Sequence, residues 1–218
     1  MKTAKLLIGL GVALLAFSLS LWVLNLRQDA AAGASAEAVL TRLRPDVSAV
    51  PLRAAGEDAV SAETTLSPLP LYQLDPEIPM PTQTVDGIEY LGVLEIPAIT
   101  LELPVISRWS YADLKHAPCR YSGSAYLDDM VLAGHNYESH FGGLRELRAN
   151  DLVCFTDMDG NEFRYLVSGL EVLDRDDTEE MLDPRWDLTM FTCTLGGGNR
   201  IAVRCLREDS EAFAFPGS

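Results

Sequence analysis

Positive charge is scarce in this chain. Its 17 Lys and Arg stand against 32 Asp and Glu, a formal net charge of −15 at pH 7. That balance excludes a nucleic-acid partner, because such partners are held mainly by basic side chains on phosphates. Histidine occurs three times and cysteine four. Cys119, Cys154, Cys193 and Cys205 form no CxxC pair and show no Cys/His spacing of the zinc type, so no structural metal is expected. Four cysteines are also too few for a disulfide framework in 218 residues. One functional thiol among small buried hydrophobes is the expected use, with a Cys119–Cys205 bridge the alternative in an oxidising compartment. There is no internal repeat, and the length suits one globular domain behind an N-terminal extension.

What the chain has in abundance at its start is apolar sequence. Leu6 to Leu26 reads as 21 residues without a charge, close to the roughly 20 that cross a bilayer as a helix. Lys2 and Lys5 precede it, and Arg27 and Asp29 follow. This bias predicts a single-pass anchor over residues 1–27, N-terminus in the cytoplasm and the body outside the cell. Cleavage after Ala30-Ala31-Ala32 is the alternative, although secretory apolar regions are usually shorter, about 7 to 15 residues. Residues 28–85 are rich in Ala, Ser and Pro and read as a stalk, with a short amphipathic helix over 36–43.

From Ile88 the pattern turns to short β-rich runs: Ile88–Ile96, Ile99–Ile106, Met130–Ala133, Leu152–Thr156, Phe163–Leu173, Leu188–Thr192 and Ile201–Leu206. Seven or eight strands predict a closed barrel or a sandwich over residues 86–218. Short helices are expected at 111–115, 143–147 and 178–182, and a hairpin at Asp157–Asn161. The segment Thr194-Leu195-Gly196-Gly197-Gly198-Asn199 closes a second hairpin, so that Cys193 and Arg200 flank its turn. Opposed residues in such a pair have Cβ atoms about 5 Å apart on one face, and a thiolate and a guanidinium there can meet one substrate group. Met190, Leu188, Val203 and Cys205 alternate to the other face, the expected core. Arg204 shares the face of Arg200 and competes with it for the role.

The order of three segments carries a resemblance. Leu188-Thr189-Met190-Phe191-Thr192-Cys193 resembles the run that ends in the nucleophile of the sortase family. Val131-Leu132-Ala133-Gly134-His135-Asn136 resembles the family's Ala-Gly-His segment, and Asn199-Arg200-Ile201-Ala202-Val203-Arg204 its last strand, which opens on an Arg. The resemblance covers roughly residues 88–207 and implies an eight-stranded β-barrel. It implies Cys193 as nucleophile, His135 as acid/base and Arg200 as the polarising cation, with Thr192, Ala133 and Gly134 at the substrate. It further implies attack on a Leu-Pro-x-Thr-Gly-like sorting signal of a surface protein or pilin, and transfer to an amine of a cell-wall precursor or pilin.

The chemistry asks for such a set. A thiol with an ordinary pKa near 8.5 must be partly ionised to attack a carbonyl, and a cation beside it helps. The same cation can hold an oxyanion, and a histidine can protonate a leaving amine and later deprotonate an incoming one. The resemblance brings no cofactor. Asp174, Asp176, Asp177, Glu179 and Glu180 have the carboxylates a calcium ion uses, but the plainer reading is a solvated loop. Asp75-Pro76 resembles the start of a lid motif, with Glu77 where an aromatic belongs. The rival readings are an L,D-transpeptidase, which carries His two residues before Cys where Phe191 stands here, and an exported β-domain that binds peptide without catalysis.

Overall fold

A computed structural model of the chain describes residues 2–43, 69–194 and 196–208. It opens on one continuous helix, α1 (Lys2–Leu43). At 1.5 Å per residue, a helix of 42 residues is about 63 Å long, roughly twice the thickness of a bilayer's hydrocarbon core. Its two halves meet different surroundings. Ile8, Val12, Leu15, Phe17, Leu19 and Trp22 are all exposed around its circumference, and it is apolar and long enough to cross a membrane. From Asp29 onward it lies on the body, with Ala32, Ala36 and Leu43 buried. The helix read from the sequence over 36–43 is therefore the end of a much longer one, and within the expected stalk residues 29–43 are packed against the barrel. Small side chains explain the close approach: Gly33 passes so near Ser139 that an added Cβ would sit 3.1 Å from that residue's Cβ.

The body consists of nine strands among the described residues: β1 (Gln83–Val85), β2 (Ile88–Ile96), β3 (Leu101–Ile106), β4 (Cys119–Ser122), β5 (Met130–Ala133), β6 (Leu152–Asp157), β7 (Glu162–Asp174), β8 (Leu188–Cys193) and β9 (Asn199–Arg207). Their hydrogen-bonded order is β1-β2-β3-β4-β5-β8-β9-β7-β6, and β6 pairs back to β2. Eight strands thus form the closed barrel expected from the resemblance. β1 is a short addition on the same edge of β2 that β6 takes further along, since β1 pairs with Ile88–Tyr90 and β6 with Gly92–Glu95. Closure leaves no long open edge on the barrel. All pairings are antiparallel except β3 with β4 and β5 with β8.

Seven of these strands fall where the alternating pattern predicts them. β1 and β4 do not announce themselves, being three and four residues long with one clearly apolar side chain between them besides a cysteine. The hairpin at 157–161 is present, with Asp157 N–H donating to the Asn161 carbonyl at 3.0 Å. Two four-residue helices, α2 (Leu71–Leu74) and α3 (Thr178–Met181), and short 3₁₀ turns complete the described body.

The barrel interior is filled by Leu94, Leu132, Phe155, Phe163, Tyr165, Met190 and Val203, all fully buried. Met190 and Val203 are opposite each other between β8 and β9, and with Leu188 and Cys205 they form the inward set that strand alternation requires. A second cluster outside it joins Leu43 of α1 to Val85, Tyr90, Ile106, Leu114 and Cys119. The four cysteines are all free. Cys119 and Cys205 belong to different clusters, which is why no bridge joins them, and burial pushes the Cys119 thiol up to about 12.

Closure depends on a glycine. At Gly92, where β2 shifts register against β3 and begins to pair with β6, an added Cβ would stand 2.2 Å from the Thr156 carbonyl oxygen and 2.7 Å from the Phe155 ring. Gly92→Ala should therefore cost about 3 kcal/mol in denaturant unfolding. Gly169→Ala, where a Cβ would meet nothing within 4 Å, should change stability by less than about 0.5 kcal/mol.

Candidate active site

The parallel pairing of β5 with β8 runs from Met130 opposite Leu188 to Ala133 opposite Phe191. It continues into the loop, where Gly134 N–H donates to the Phe191 carbonyl at 3.0 Å. Carried two residues further, that register brings His135 beside Cys193. β8 then pairs antiparallel with β9, and Cys193 stands opposite Arg200. Three neighbouring strands therefore present His135, Cys193 and Arg200 at one level, on the outer face of the barrel wall.

The β8–β9 turn is tied by Thr194, whose N–H donates to the Asn199 carbonyl at 3.0 Å and whose hydroxyl accepts from Asn199 N–H at 3.1 Å. Gly196 and Gly197 have φ of 94° and 74°, a conformation that glycine adopts without strain.

One cavity of about 270 Å³ is lined by Cys193, Arg200, His135, Thr192, Ala133 and Gly134. All six residues singled out in the sequence thus meet at one place. Thr192, read from the sequence as substrate-binding, lines the cavity and also belongs to the inward-facing set of β8. It is buried, and its hydroxyl donates to the Gly134 carbonyl at 2.9 Å. That bond ties β8 to the residue before His135. Gly134 is constrained as well, since an added Cβ would lie 2.4 Å from the buried Phe141 ring.

Arg204, the competitor on the same face, is spoken for. It is buried, and its guanidinium donates to Glu171 at 2.8 Å, to the Thr189 hydroxyl at 3.1 Å and to the Glu180 carbonyl at 2.7 Å. Arg200 is half-exposed and, among the described residues, donates only to the carbonyl of its neighbour Asn199, at 3.3 Å.

His135 is half-buried, its ring stacked on Tyr137 with centroids 4.8 Å apart. Burial lowers its pKa from the ordinary histidine value, and the nearby charge of Lys115 lowers it further. The loop behind it is short and internally bonded: Phe141 N–H donates to the His135 carbonyl at 3.0 Å, and Gly142 N–H to the Tyr137 carbonyl at 2.8 Å. Helix α1 is fastened to this loop. Ser139 N–H donates to the Asp29 carboxylate and its hydroxyl to the Asp29 carbonyl, both at 3.0 Å.

Sequence reasoning passes over the aromatic wall of the cavity. Trp109, Tyr111, Tyr121 and Phe191 line it, with Trp109–Tyr121 ring centroids 5.9 Å apart and Tyr121–Phe191 5.4 Å apart, edge to face. Asp176 and Asp177 line another part. Among the described residues no three His, Cys, Asp or Glu side chains converge as a cation site. In the acidic run, Asp177 instead accepts from Glu180 N–H at the start of α3. Asp75-Pro76 lies away from the thiol: Pro76 lines a different cavity, of about 730 Å³, beside Tyr72, which stacks on Tyr126 at 4.7 Å.

A family model described as the sortase domain matches residues 94–208. Over 107 residues the chain is 31% identical to "Sortase D" of Bacillus subtilis (strain 168), covering 47% of this chain and 53% of that protein. It is 27% identical over 116 residues to "Sortase A" of Bacillus anthracis, covering 50% and 55%. The chain spans about half the length of these curated relatives. Among solved structures, a sortase C of Clostridium perfringens with the C-terminal cell wall sorting motif superposes with a TM-score of 0.50 at 23% identity, covering 59% of this chain and 78% of that one. That last likeness is one of fold.

His140 supplies a test of how the loop is held. It is fully buried, and among the described residues neither ring nitrogen has a hydrogen-bond partner of good geometry. Burial, then the charge of His135, pulls its pKa down to about 4, against smaller upward pulls from Asp29 and the backbone of Ala32 and His116. The folded chain keeps His140 neutral where the unfolded chain, titrating near 6.5, takes up a proton. Stability should therefore be full above about pH 6.5 and decline toward pH 4, by up to about 3 kcal/mol from this group. Unfolding measured across that range should show the decline in the wild type and a flatter profile in His140→Phe.

Proposed function

The chain belongs to the sortase family, whose members are cysteine transpeptidases, and from that premise we propose that it is a membrane-anchored transpeptidase acting on Leu-Pro-x-Thr-Gly-like sorting signals. The observation that carries the reading is the meeting of His135, Cys193 and Arg200 at the ends of three adjacent strands, in one cavity.

The proposed sequence begins with the proton on His135 and Cys193 as thiolate. Its Sγ attacks the threonine carbonyl, and the charge that develops on the oxygen is met by the Arg200 guanidinium, a donor without an acidic partner of its own among the described residues. As the C–N bond breaks, His135 gives its proton to the departing glycine amine, and a thioester remains on Cys193. An acceptor amine then attacks that thioester. The C–N bond forms, the C–S bond breaks, and the amine's proton passes to His135. The acceptor in this reading is an amine of a lipid-linked cell-wall precursor or of a pilin. The apolar half of α1 fits a single membrane span with the barrel outside the cell, which keeps the thiol close to a membrane-borne acceptor.

Incubating the full chain in detergent with candidate sorting peptides should give a mass adduct of the acyl fragment on Cys193, with release of the glycine-bearing piece. Cys193→Ala should give no adduct, His135→Asn should slow acylation by about 10²–10⁴, and Arg200→Gln by about 10²–10³. A Cys193→Ala chain that cleaves as well as wild type would sink the mechanism and favour binding without catalysis.

The depressed pKa of His135 gives an independent check. Its imidazole, followed by NMR, should titrate below the ordinary histidine value, and Lys115→Gln, which removes a positive neighbour, should move the midpoint up. Whichever limb of the pH–rate profile tracks His135 should move the same way.

A further inference from the structure

A second groove adjoins the catalytic cavity and shares two residues with it, Trp109 and Tyr121. It measures about 450 Å³, and its other walls include Ser107, Arg108, Arg120 and Gly123. Arg120 is half-buried and held in place: its Nε donates to the Ser107 carbonyl at 3.1 Å and one Nη to the Gly123 carbonyl at 3.3 Å. Those bonds use two of the five N–H donors of a guanidinium and leave the rest of its fork free.

Among the described residues neither Arg108 nor Arg120 forms an ion pair. Burial lowers the pKa of Arg120, and the charge of Arg108 lowers it further. Arg120 holds its charge partly out of water beside a like charge, which costs stability unless an opposite charge offsets it. Two carboxylates lie behind the groove, Glu89 accepting from the Ser107 hydroxyl at 3.3 Å and Asp129 from Ser124 N–H at 2.8 Å, but neither pairs with Arg108 or Arg120.

Resting on the transpeptidase reading above, we propose that this groove is an anion subsite that recognises an acidic side chain on the donor peptide, outside the segment that reaches Cys193. A cavity of about 270 Å³ lies at or below the small end for ligand pockets, so a bound peptide must run out of it. The rings of Phe191, Tyr121 and Trp109 make a continuous path from beside Cys193 to the two arginines. About five residues of extended chain, at roughly 3.3 Å each, span it. An acceptor fits this path poorly. A primary amine is cationic until it attacks, two arginines repel it, and Asp176 and Asp177 line the catalytic cavity away from the groove. Guanidinium forks suit a carboxylate in two-point contact.

The test uses synthetic peptides with a Leu-Pro-Ala-Thr-Gly core and a single Glu, or the isosteric Gln, about three to six residues from the threonine on either side. Acylation of the full wild-type chain by the Gln peptides is read first; if none acylates Cys193, the transpeptidase reading itself fails. Binding is then measured by fluorescence anisotropy on the full Cys193→Ala chain in detergent. At one position Glu should bind about tenfold more tightly than Gln, and Arg108→Glu should erase or invert that preference while leaving binding of the Gln peptide unchanged. Arg120→Gln should also erase it, and the exposed Arg108 supplies the variant that disturbs no backbone carbonyl. Equal binding of Glu and Gln peptides at every position overturns the proposal. So does competition by inorganic pyrophosphate without any gain from Glu, which would give the groove to a phosphate-bearing acceptor.

Discussion

The parallel pairing of β5 with β8 is the contact on which the site depends. Residues far apart in sequence meet because two strands run side by side in the same direction. Register is therefore what aligns the histidine with the thiol: Ala133 opposite Phe191 dictates that His135 arrives beside Cys193. A slip of one residue would turn every side chain of β5 to the wrong face. The structure guards the register at two points. Leu132 and Met190 are locked in the interior, and Thr192 donates its hydroxyl to the Gly134 carbonyl just where β5 ends. Next to this pairing, the β8–β9 hairpin is the simpler half, since a short turn leaves Cys193 and Arg200 little choice but to face each other.

Cys193 and Arg200 thus sit on strand ends within a closed barrel, while His135 sits on the first residues of a loop. Strand ends inherit the rigidity of the ladder; a loop must be held by other means. Here the loop is held by its own bonds around Tyr137, by Phe141 buried beneath Gly134, and by α1 through Asp29 and Ser139. With an exposed apolar first half and a docked second half, α1 is part of the scaffold. His140, buried without a hydrogen-bond partner, marks where the docking is least well satisfied.

Much of this was legible from residue patterns, for reasons that differ by element. β2, β5 and β8 carry dense apolar or alternating runs, and their predicted bounds agree with the observed ones to within a residue. β4 could not be read that way: Cys119-Arg120-Tyr121-Ser122 has no strand pattern of its own and is a strand because β5 pairs along it. β1 did leave a signal. Asp86 and Gly87 both have positive φ, 51° and 82°, and Asp-Gly is a favoured pair for a two-residue hairpin turn. The facing of Cys193 and Arg200 followed from turn chemistry, but the approach of His135 followed only from the family resemblance, because a parallel pairing across 57 intervening residues leaves no local trace. The long reach of α1 was hidden by its composition. Ala- and Ser-rich sequence reads as linker until a surface is present for the small side chains to pack against.

The two arginines of the β8–β9 face show how surroundings, and not residue type, decide a role. Arg200 and Arg204 point the same way from one strand, four residues apart. Arg204 lies under α3, where a carboxylate, a hydroxyl and a backbone carbonyl consume its donors, and a guanidinium so satisfied has nothing left to offer a reacting group. Arg200 lies at the strand's open end, beside a thiol, with its fork still available. The same reasoning extends to Arg120, whose donors are half used and whose charge is unpaired. Arg108, Arg120 and Arg200, none of them with a carboxylate partner among the described residues, line the catalytic cavity or the groove that adjoins it.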